Sequence, residues 1–422
     1  MVARRTQRYT RFSVEDLEGD DREEQQRFTV VGQFIRVFST ERFRSSWKLI
    51  VSIVLLLIVV VACILIEFSN SSVNQAVTAP PRPSLSFRSG GESNASSSYK
   101  FTILQIADIH LGEAEDTDWG PRQDEKTFHA LRSILSQQHV TPDLIIFSGD
   151  QVTANNIVNN ATAYYKMLGD FIETYHIPWG IIFGNHDDAE YVGNSLSDAA
   201  ATTLRSDLLR FLQQQPYNYH MTRQDSSTNV FGVSNYVLNV TLNGNIALQV
   251  ILLDSGGGSL PNQLLESQLD WISTERIKGI PAVFFQHIPT HEYVFHNNNN
   301  FPCVGSNGDG GVDPLNYDPG IVNFLSKDGY AYLLAVGHNH GNSYCCPAEG
   351  GNNQTPSLLS LCFGRHSGYG GYGNWDRGAR VYELTLSSSA NDEQRRDFSY
   401  KSWLQMESGN ITEEYIPPFP KQ

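Results

Sequence analysis

From Lys100 onward, short apolar runs alternate with amphipathic segments. The runs at 100–107, 143–148, 179–183, 235–241, 246–254, 281–286, 331–336, 357–363 and 378–386 predict β-strands, several of them apolar throughout. Helical spacing predicts helices at 123–138, 161–175, 196–214, 262–274 and 319–327. In the first of these, Phe128, Leu131 and Leu135 form one core-facing stripe. This alternation predicts an α/β domain with both sheet faces covered by helices. The stretch 291–318, which includes Asn297–Asn300, fits neither period. A connection of that length in a compact domain is either disordered or functional.

Ahead of this domain the pattern changes twice. Leu49 to Ile66 is a run in which Ser52 is the only clearly polar residue, long enough for a helix to span a bilayer core. A buried core helix would show a polar face, and a secretory leader is rarely preceded by so long a charged segment. The run therefore reads as a signal anchor in contact with the lipid bilayer. Residues 1–48 are polar and charged and read as a disordered cytosolic tail; 67–99, rich in Ser, Asn, Pro and Gly, read as a flexible stalk. Phe28, Val31, Ile35 and Phe38 approach helical spacing, which fits a membrane-surface helix or a fortuitous pattern equally. A single folded domain is expected over 100–422.

Charge adds an orientation. Arg36, Arg42, Arg44 and Lys48 precede the apolar run and Glu67 follows it, which puts the N-terminus in the cytosol and the bulk of the chain outside or in a lumen, a type II topology. Asn70, Asn94, Asn160, Asn239, Asn353 and Asn410 begin N-x-S/T sequons, all after the run. The net charge is −15, so nucleic acid is not an expected partner. Cys63 lies in the apolar run; Cys303, Cys345, Cys346 and Cys362 form an even set in an oxidising compartment. Two disulfides are expected among these four. Three pairings are possible, and adjacent cysteines rarely bond each other.

The candidate chemistry sits where apolar runs end. Asp108 and His110 follow the first run, two residues apart, so at a strand end both side chains would leave on one side. Gly149-Asp150, Gly184-Asn185-His186-Asp187, His287 and Gly337-His338-Asn339-His340 each follow a later run. Carboxylates, imidazoles and an amide oxygen are all ligands for divalent metals.

These five blocks, in this order, resemble the calcineurin-like metallophosphoesterases, and within them the short branch related to purple acid phosphatases. Further support comes from His287-Ile288-Pro289 and the glycine-rich Cys362–Gly373. The resemblance covers about 100–385 and implies an αββα fold, a central β-sandwich flanked by helices, carrying a dinuclear metal centre. One ion would be held by Asp108, His110, Asp150 and His340, the other by Asp150, Asn185, His287 and His338. Seven ligands serve two four-ligand ions only if one carboxylate bridges, at the metal spacing of about 3.5–4 Å used in phosphoryl transfer. A metal-bridging hydroxide would attack phosphorus, and His186 would protonate the leaving group, with Asp187 able to orient it.

Thr153 stands where purple enzymes have a Tyr, and the first block is D-x-H rather than D-x-G. Both departures argue against ferric iron and leave Fe, Zn or Mn open as the two divalent ions. His291 and Arg365 are further candidates for contact with the substrate phosphate, as is His366; the other histidines read as structural or exposed. Cys345 with Cys362 follows the related branch's pattern, leaving Cys303 with Cys346. The expected activity is hydrolysis of phosphomonoesters. The alternatives are a phosphodiesterase acting on a lipid headgroup or nucleotide, and a catalytically silent membrane-tethered binding protein.

Overall fold

The computed structural model describes residues 50–58, 61, 82–93, 96–137, 141–157, 161–190, 203–295, 302–349, 356–389 and 392–418. The chain divides between Thr78 and Ala79, and the second unit carries the α/β domain. Within the anchor expected at 49–66, residues 50–58 are helical. Among the described residues, no helix is long and apolar enough to cross a membrane. The rest of that run, apart from Val61, lies outside the described residues, as do the 1–48 tail and the first part of the helix expected at 196–214.

The strands are β1 (Leu85–Ser86), β2 (Arg88–Ser93), β3 (Ser96–Ile106), β4 (Leu144–Ser148), β5 (Trp179–Ile182), β6 (Tyr236–Leu242), β7 (Asn245–Leu252), β8 (Ala282–Phe285), β9 (Ala331–Val336), β10 (Cys345–Glu349), β11 (Pro356–Phe363), β12 (Gly378–Ser389), β13 (Asp392–Met406) and β14 (Ile411–Tyr415). The helices are α1 (Gly120–Leu135), α2 (Ala161–Glu173), α3 (Arg205–Gln214), α4 (Glu266–Glu275) and α5 (Ile321–Asp328). One sheet runs β1-β6-β7-β8-β9-β11-β10; the other runs β14-β13-β12-β3-β4-β5, with β2 added on β3. Both are mixed: β3-β4-β5 and β7-β8-β9-β11 are parallel, and β12 meets β3 antiparallel.

Alternation along the central strands builds three hydrophobic layers. Ile103, Leu144, Ile146 and Ile182 from one sheet meet Val250, Leu252, Val283, Phe285 and Leu333 from the other. The neighbouring Leu104, Ile145, Phe147 and Ile181 face outward and pack with Leu131, Leu168 and Leu208 of α1, α2 and α3. On the far side Ile251, Phe284 and Leu334 pack with Trp271, Ile272, Ile321 and Leu325 of α4 and α5. Each such fully buried side chain contributes about 1.5–3 kcal/mol. The expected αββα sandwich is thus present.

Every strand predicted from the apolar runs is there. Those without a prediction (β1, β2, β10, β13 and β14) are short or largely polar. In β13, Phe398, Tyr400 and Leu404 reach the core between residues such as Lys401 and Gln405. Its pairing with β12 supplies the rest of its stability. The stalk expected at 67–99 needs correction at its C-terminal end. Leu85 and Phe87 are buried between the sheets, and strand pairing begins there. Alternation over three residues was too short to show this.

Cys303 pairs with Cys346 and Cys345 with Cys362, as expected. Cys345 and Cys362 are direct cross-strand partners on β10 and β11. The Cys303–Cys346 bond ties the 302–318 segment beside the turn that follows β9, where Gly308 N–H also donates to Gly341 O. Replacing Cys303 and Cys346 together by Ser should lower stability by about 2–4 kcal/mol, the usual worth of closing a loop of that order. An unchanged urea midpoint in the double variant would show that this bond does not stabilise the fold.

Candidate metal centre

The parallel strands of both sheets end on the same edge of the sandwich, and the candidate ligands lie in the turns just past those ends. β3 leads to Asp108 and His110, β4 to Asp150, β5 to Asn185, β8 to His287, and β9 to His338 and His340. All seven come together. Donor atoms of Asp108, His110 and His340 lie within 4.8 Å of one another, and so do those of Asp150, His287 and His338. Asn185 Oδ1 sits between the imidazoles of the second set, 3.1 Å from His287 Nε2 and 2.8 Å from His338 Nδ1. Asp150 Oδ2 lies 3.1 Å from His287 Nε2 and 3.6 Å from His110 Nε2, so it belongs to both sets.

The route to convergence differs from the expected strand pleat. Asp108, His110, Asp150 and His338 all have positive φ, at 55°, 49°, 53° and 76°. Non-glycine residues in this region store about 1–3 kcal/mol each and concentrate at functional sites. Left-handed turns, not the period of two, aim these side chains. His338 and His340 accordingly go to different sets. Two glycines admit the close approach. A Cβ on Gly149 would lie 2.1 Å from His287 Nδ1, and one on Gly184 would lie 2.3 Å from Asp150 Oδ1.

Outer partners fix the rings. His110 Nδ1 lies 3.0 Å from Thr153 Oγ1. His287 Nδ1 donates to Ser148 O at 2.9 Å and His340 Nδ1 to Tyr372 O at 2.9 Å, which turns both Nε2 atoms toward the cluster. Tyr372 also stacks on His340, with centroids 4.0 Å apart. Asp309 accepts from Tyr372 Oη and Gly341 N–H. Asp313 Oδ2 is 3.5 Å from His338 Nε2. The 302–318 part of the unassigned stretch thus braces the turn bearing His338 and His340.

Without cations the cluster is electrostatically unbalanced. Burial pushes Asp108 up to about 7 against the pull of His287. Burial opposes ionisation of Asp150 too, but His287, His186 and His110 hold its carboxyl well below the usual range. His287 is driven to about 9, with Asp150 and Asp108 overcoming its burial. Burial drives His338 and His340 down to about 4 and His110 well below its ordinary value. His110 Nε2 and His340 Nε2 face each other at 3.0 Å. Acceptor nitrogens and carboxylates aimed at common points fit two divalent cations, which would balance the buried anions and use the lone pairs.

Four sequence expectations need correction. Asp187 does not touch the His186 ring. Its buried carboxylate accepts from the N–H groups of Asp150, Gln151, Val152 and Gly184 and from Tyr165 Oη, clamping two ligand turns together. His291 is exposed and outside the cleft. Arg365 is buried, does not line the cleft and donates to Asp376 O at 2.8 Å. His366 is buried against His340, centroids 4.0 Å apart.

The cleft has a volume of about 680 Å³ and is lined by ligand residues with His186, Asn155, Asn156, Glu113, Asp313 and Tyr372. His186 contributes its backbone N–H to Asp150 Oδ1 at 2.7 Å, and its Nδ1 lies 3.2 Å from Asn155 Oδ1. Neither Asn155 nor Asp313 carried any sequence signal, because neither is beside an apolar run or a ligand block. Arg205 was also missed. Wholly buried at the start of α3, it binds Asp188 and Asp254, each at 2.6 Å, and anchors the turn after β5. Breaking such a buried pair costs about 3–5 kcal/mol.

A two-layered sandwich with two overlapping sets of candidate Asp, His and Asn metal ligands at its strand ends fits a metal-dependent hydrolase. Residues 101–342 match the family model for the calcineurin-like phosphoesterases, and the chain belongs to that family. It is 28% identical over 325 residues to Phosphatase DCR2 of Saccharomyces cerevisiae, a match covering 69% of this chain and 52% of that protein. It is 27% identical over 326 residues to an Arabidopsis thaliana protein described as "Probable inactive purple acid phosphatase 28", covering 68% and 75%. The chain therefore spans about half the length of the yeast relative. Among solved structures it is similar to the purple acid phosphatase PPD1 of yellow lupin, at 12% identity and a TM-score of 0.43, covering 78% of this chain and 54% of that one.

Metal uptake should be coupled to protons. With His287 at about 9 in the metal-free protein, binding at neutral pH must displace its proton, so apparent metal affinity should rise with pH from 6 to 8. Calorimetry in buffers of differing ionisation enthalpy reads the released protons; none released would contradict the assignment. Asp150→Asn should lose metal together with activity, which metal analysis of the purified variant checks.

Proposed function

We propose that this protein is a membrane-tethered phosphomonoesterase that uses a dinuclear metal centre, with His186 as general acid. The observation that carries the reading is Asp150 Oδ2 standing within reach of both His110 and His287, which makes two ligand sets share one carboxylate. The yeast relative's description as a phosphatase agrees with it. Divalent cations held here would supply an activated water nucleophile and neutralise the phosphoryl oxygens. Their identity is open among Fe, Zn and Mn on donor chemistry.

The chain's own part is positioning and proton transfer. The cleft that would take the ester is lined by residues of both ligand sets and by His186, whose ring packs edge-on against that of His110 with centroids 5.0 Å apart. As water attacks, the P–O bond to the alcohol breaks and its electron pair stays on the alcohol oxygen. The His186 proton goes to that oxygen. His186 touches Asp150 through its backbone, so its ring is free for this task.

His186→Ala should keep its metal content and lose about 10²–10⁴ in kcat on an alkyl phosphate, the ordinary worth of general acid catalysis. The loss should shrink on a nitrophenyl phosphate, whose leaving group needs little protonation. A variant that loses its metals, or that is equally impaired on both esters, would contradict the assignment.

The tether is the apolar run 49–66, with the phosphoesterase domain outside the cytosol. This reading rests on the basic residues before the run and the sequons after it. Glycosidase digestion of the membrane-bound protein should raise its mobility. An unglycosylated domain, cut by protease added from the cytosolic side, would reverse the topology.

A further inference from the structure

We infer that Asn155 is the positioning residue for His186, an inference that rests on the reading of His186 as proton donor. Asn155 Oδ1 lies 3.2 Å from His186 Nδ1. The neighbouring carboxylate of Asp187 is spent on the turn after β4 and is turned away from the ring. Asn155 itself sits in a single 3₁₀ turn, Ala154–Asn156, that is stitched to its surroundings. Ala154 N–H donates to His186 O at 2.9 Å, and Asn156 N–H to Thr153 O at 2.9 Å. Asn156 Oδ1 accepts from Ala114 N–H at 3.3 Å. The turn is therefore joined to the His186 loop by a backbone bond as well as by the Asn155 side chain.

An imidazolium donates from both ring nitrogens, so only the amide oxygen of Asn155 can face Nδ1 in the acid form. Held there, the ring has one nitrogen, Nε2, left to protonate the alcohol oxygen as the P–O bond breaks. A neutral acceptor fixes the ring's rotation without adding another anion beside Asp150. Misplacement of a reacting group by about 1 Å costs on the order of 10²-fold in rate, so an unrestrained ring is a measurable loss.

The test compares the metal-loaded full chain with Asn155→Leu, Asn155→Asp, His186→Ala and the Asn155→Leu/His186→Ala double variant, on ethyl phosphate and 4-nitrophenyl phosphate. Leu keeps the shape and removes the acceptor; Asp keeps the acceptor. Asn155→Leu should lower kcat on ethyl phosphate by about 10- to 100-fold. KM and metal content should stay close to those of the parent, with much less loss on the nitrophenyl ester. Asn155→Asp should recover most of that activity, and Asn155→Leu should have no further effect in the His186→Ala background. An Asn155→Leu effect equal on both esters, or undiminished in the His186→Ala background, would overturn the inference. So would loss of metal in Asn155→Leu and also in Asn155→Ala. If His186→Ala shows the leaving-group dependence and Asn155→Leu does not, Asn155 alone is misassigned. If His186→Ala lacks it, the proton-donor reading falls as well.

Discussion

The structure depends on one buried carboxylate. Asp150 is 1% exposed, has a left-handed backbone, and stands among the imidazoles of His110, His287 and His186. An anion so far from water is stable only with charge partners and hydrogen bonds. Both of its oxygens are used: Oδ1 accepts from His186 N–H and Oδ2 faces the two ligand sets. Gly149 and Gly184 are required because the approach of Asp150 and His287 leaves no room for a Cβ. The edge of the sandwich is arranged so that this one group can be shared.

Around it lies a second layer that bears no metal. Asp187 gathers four backbone N–H groups from two turns, and Arg205 joins the turn after β5 to the end of β7 through Asp188 and Asp254. On the opposite side the 302–318 segment, tied by Cys303–Cys346, contributes Asp309 and Asp313 to the turn bearing His338 and His340. Ligand turns in strained conformations need such restraint, because their backbone strain must be offset by surrounding contacts. The restraint comes from distant parts of the chain, which makes the centre a property of the whole sandwich.

Membership of the calcineurin-like phosphoesterases sets the chemistry available but does not by itself make a member active. Two Arabidopsis relatives carry names that mark them as inactive. Catalysis requires the donor set, and this chain assembles all seven candidate donors within two overlapping groups. The absence of Tyr at position 153 has a positive counterpart, since Thr153 Oγ1 instead restrains His110 Nδ1.

The strands of the sandwich core, the helices over them, the ligand blocks and, with the family resemblance, the cysteine pairing are legible in the sequence. Apolar periodicity and residue type are local properties, and each ligand block directly follows a local strand signal. It did not reveal the polar strands β13 and β14, which form because β12 presents an edge to pair with. Nor did it tell Asp187 from a catalytic group. An aspartate beside a histidine reads the same whether it faces the ring or the backbone N–H groups of another turn. His291 and Arg365 are suitable by type, yet one is in solvent and the other is buried and bonded to Asp376 O. Asn155, Asp313 and Arg205 act through partners 17 or more residues away along the chain, at contacts between turns that only the assembled sheets bring together. These roles emerge only on folding, because hydrogen-bond geometry between distant segments exists only in the folded chain.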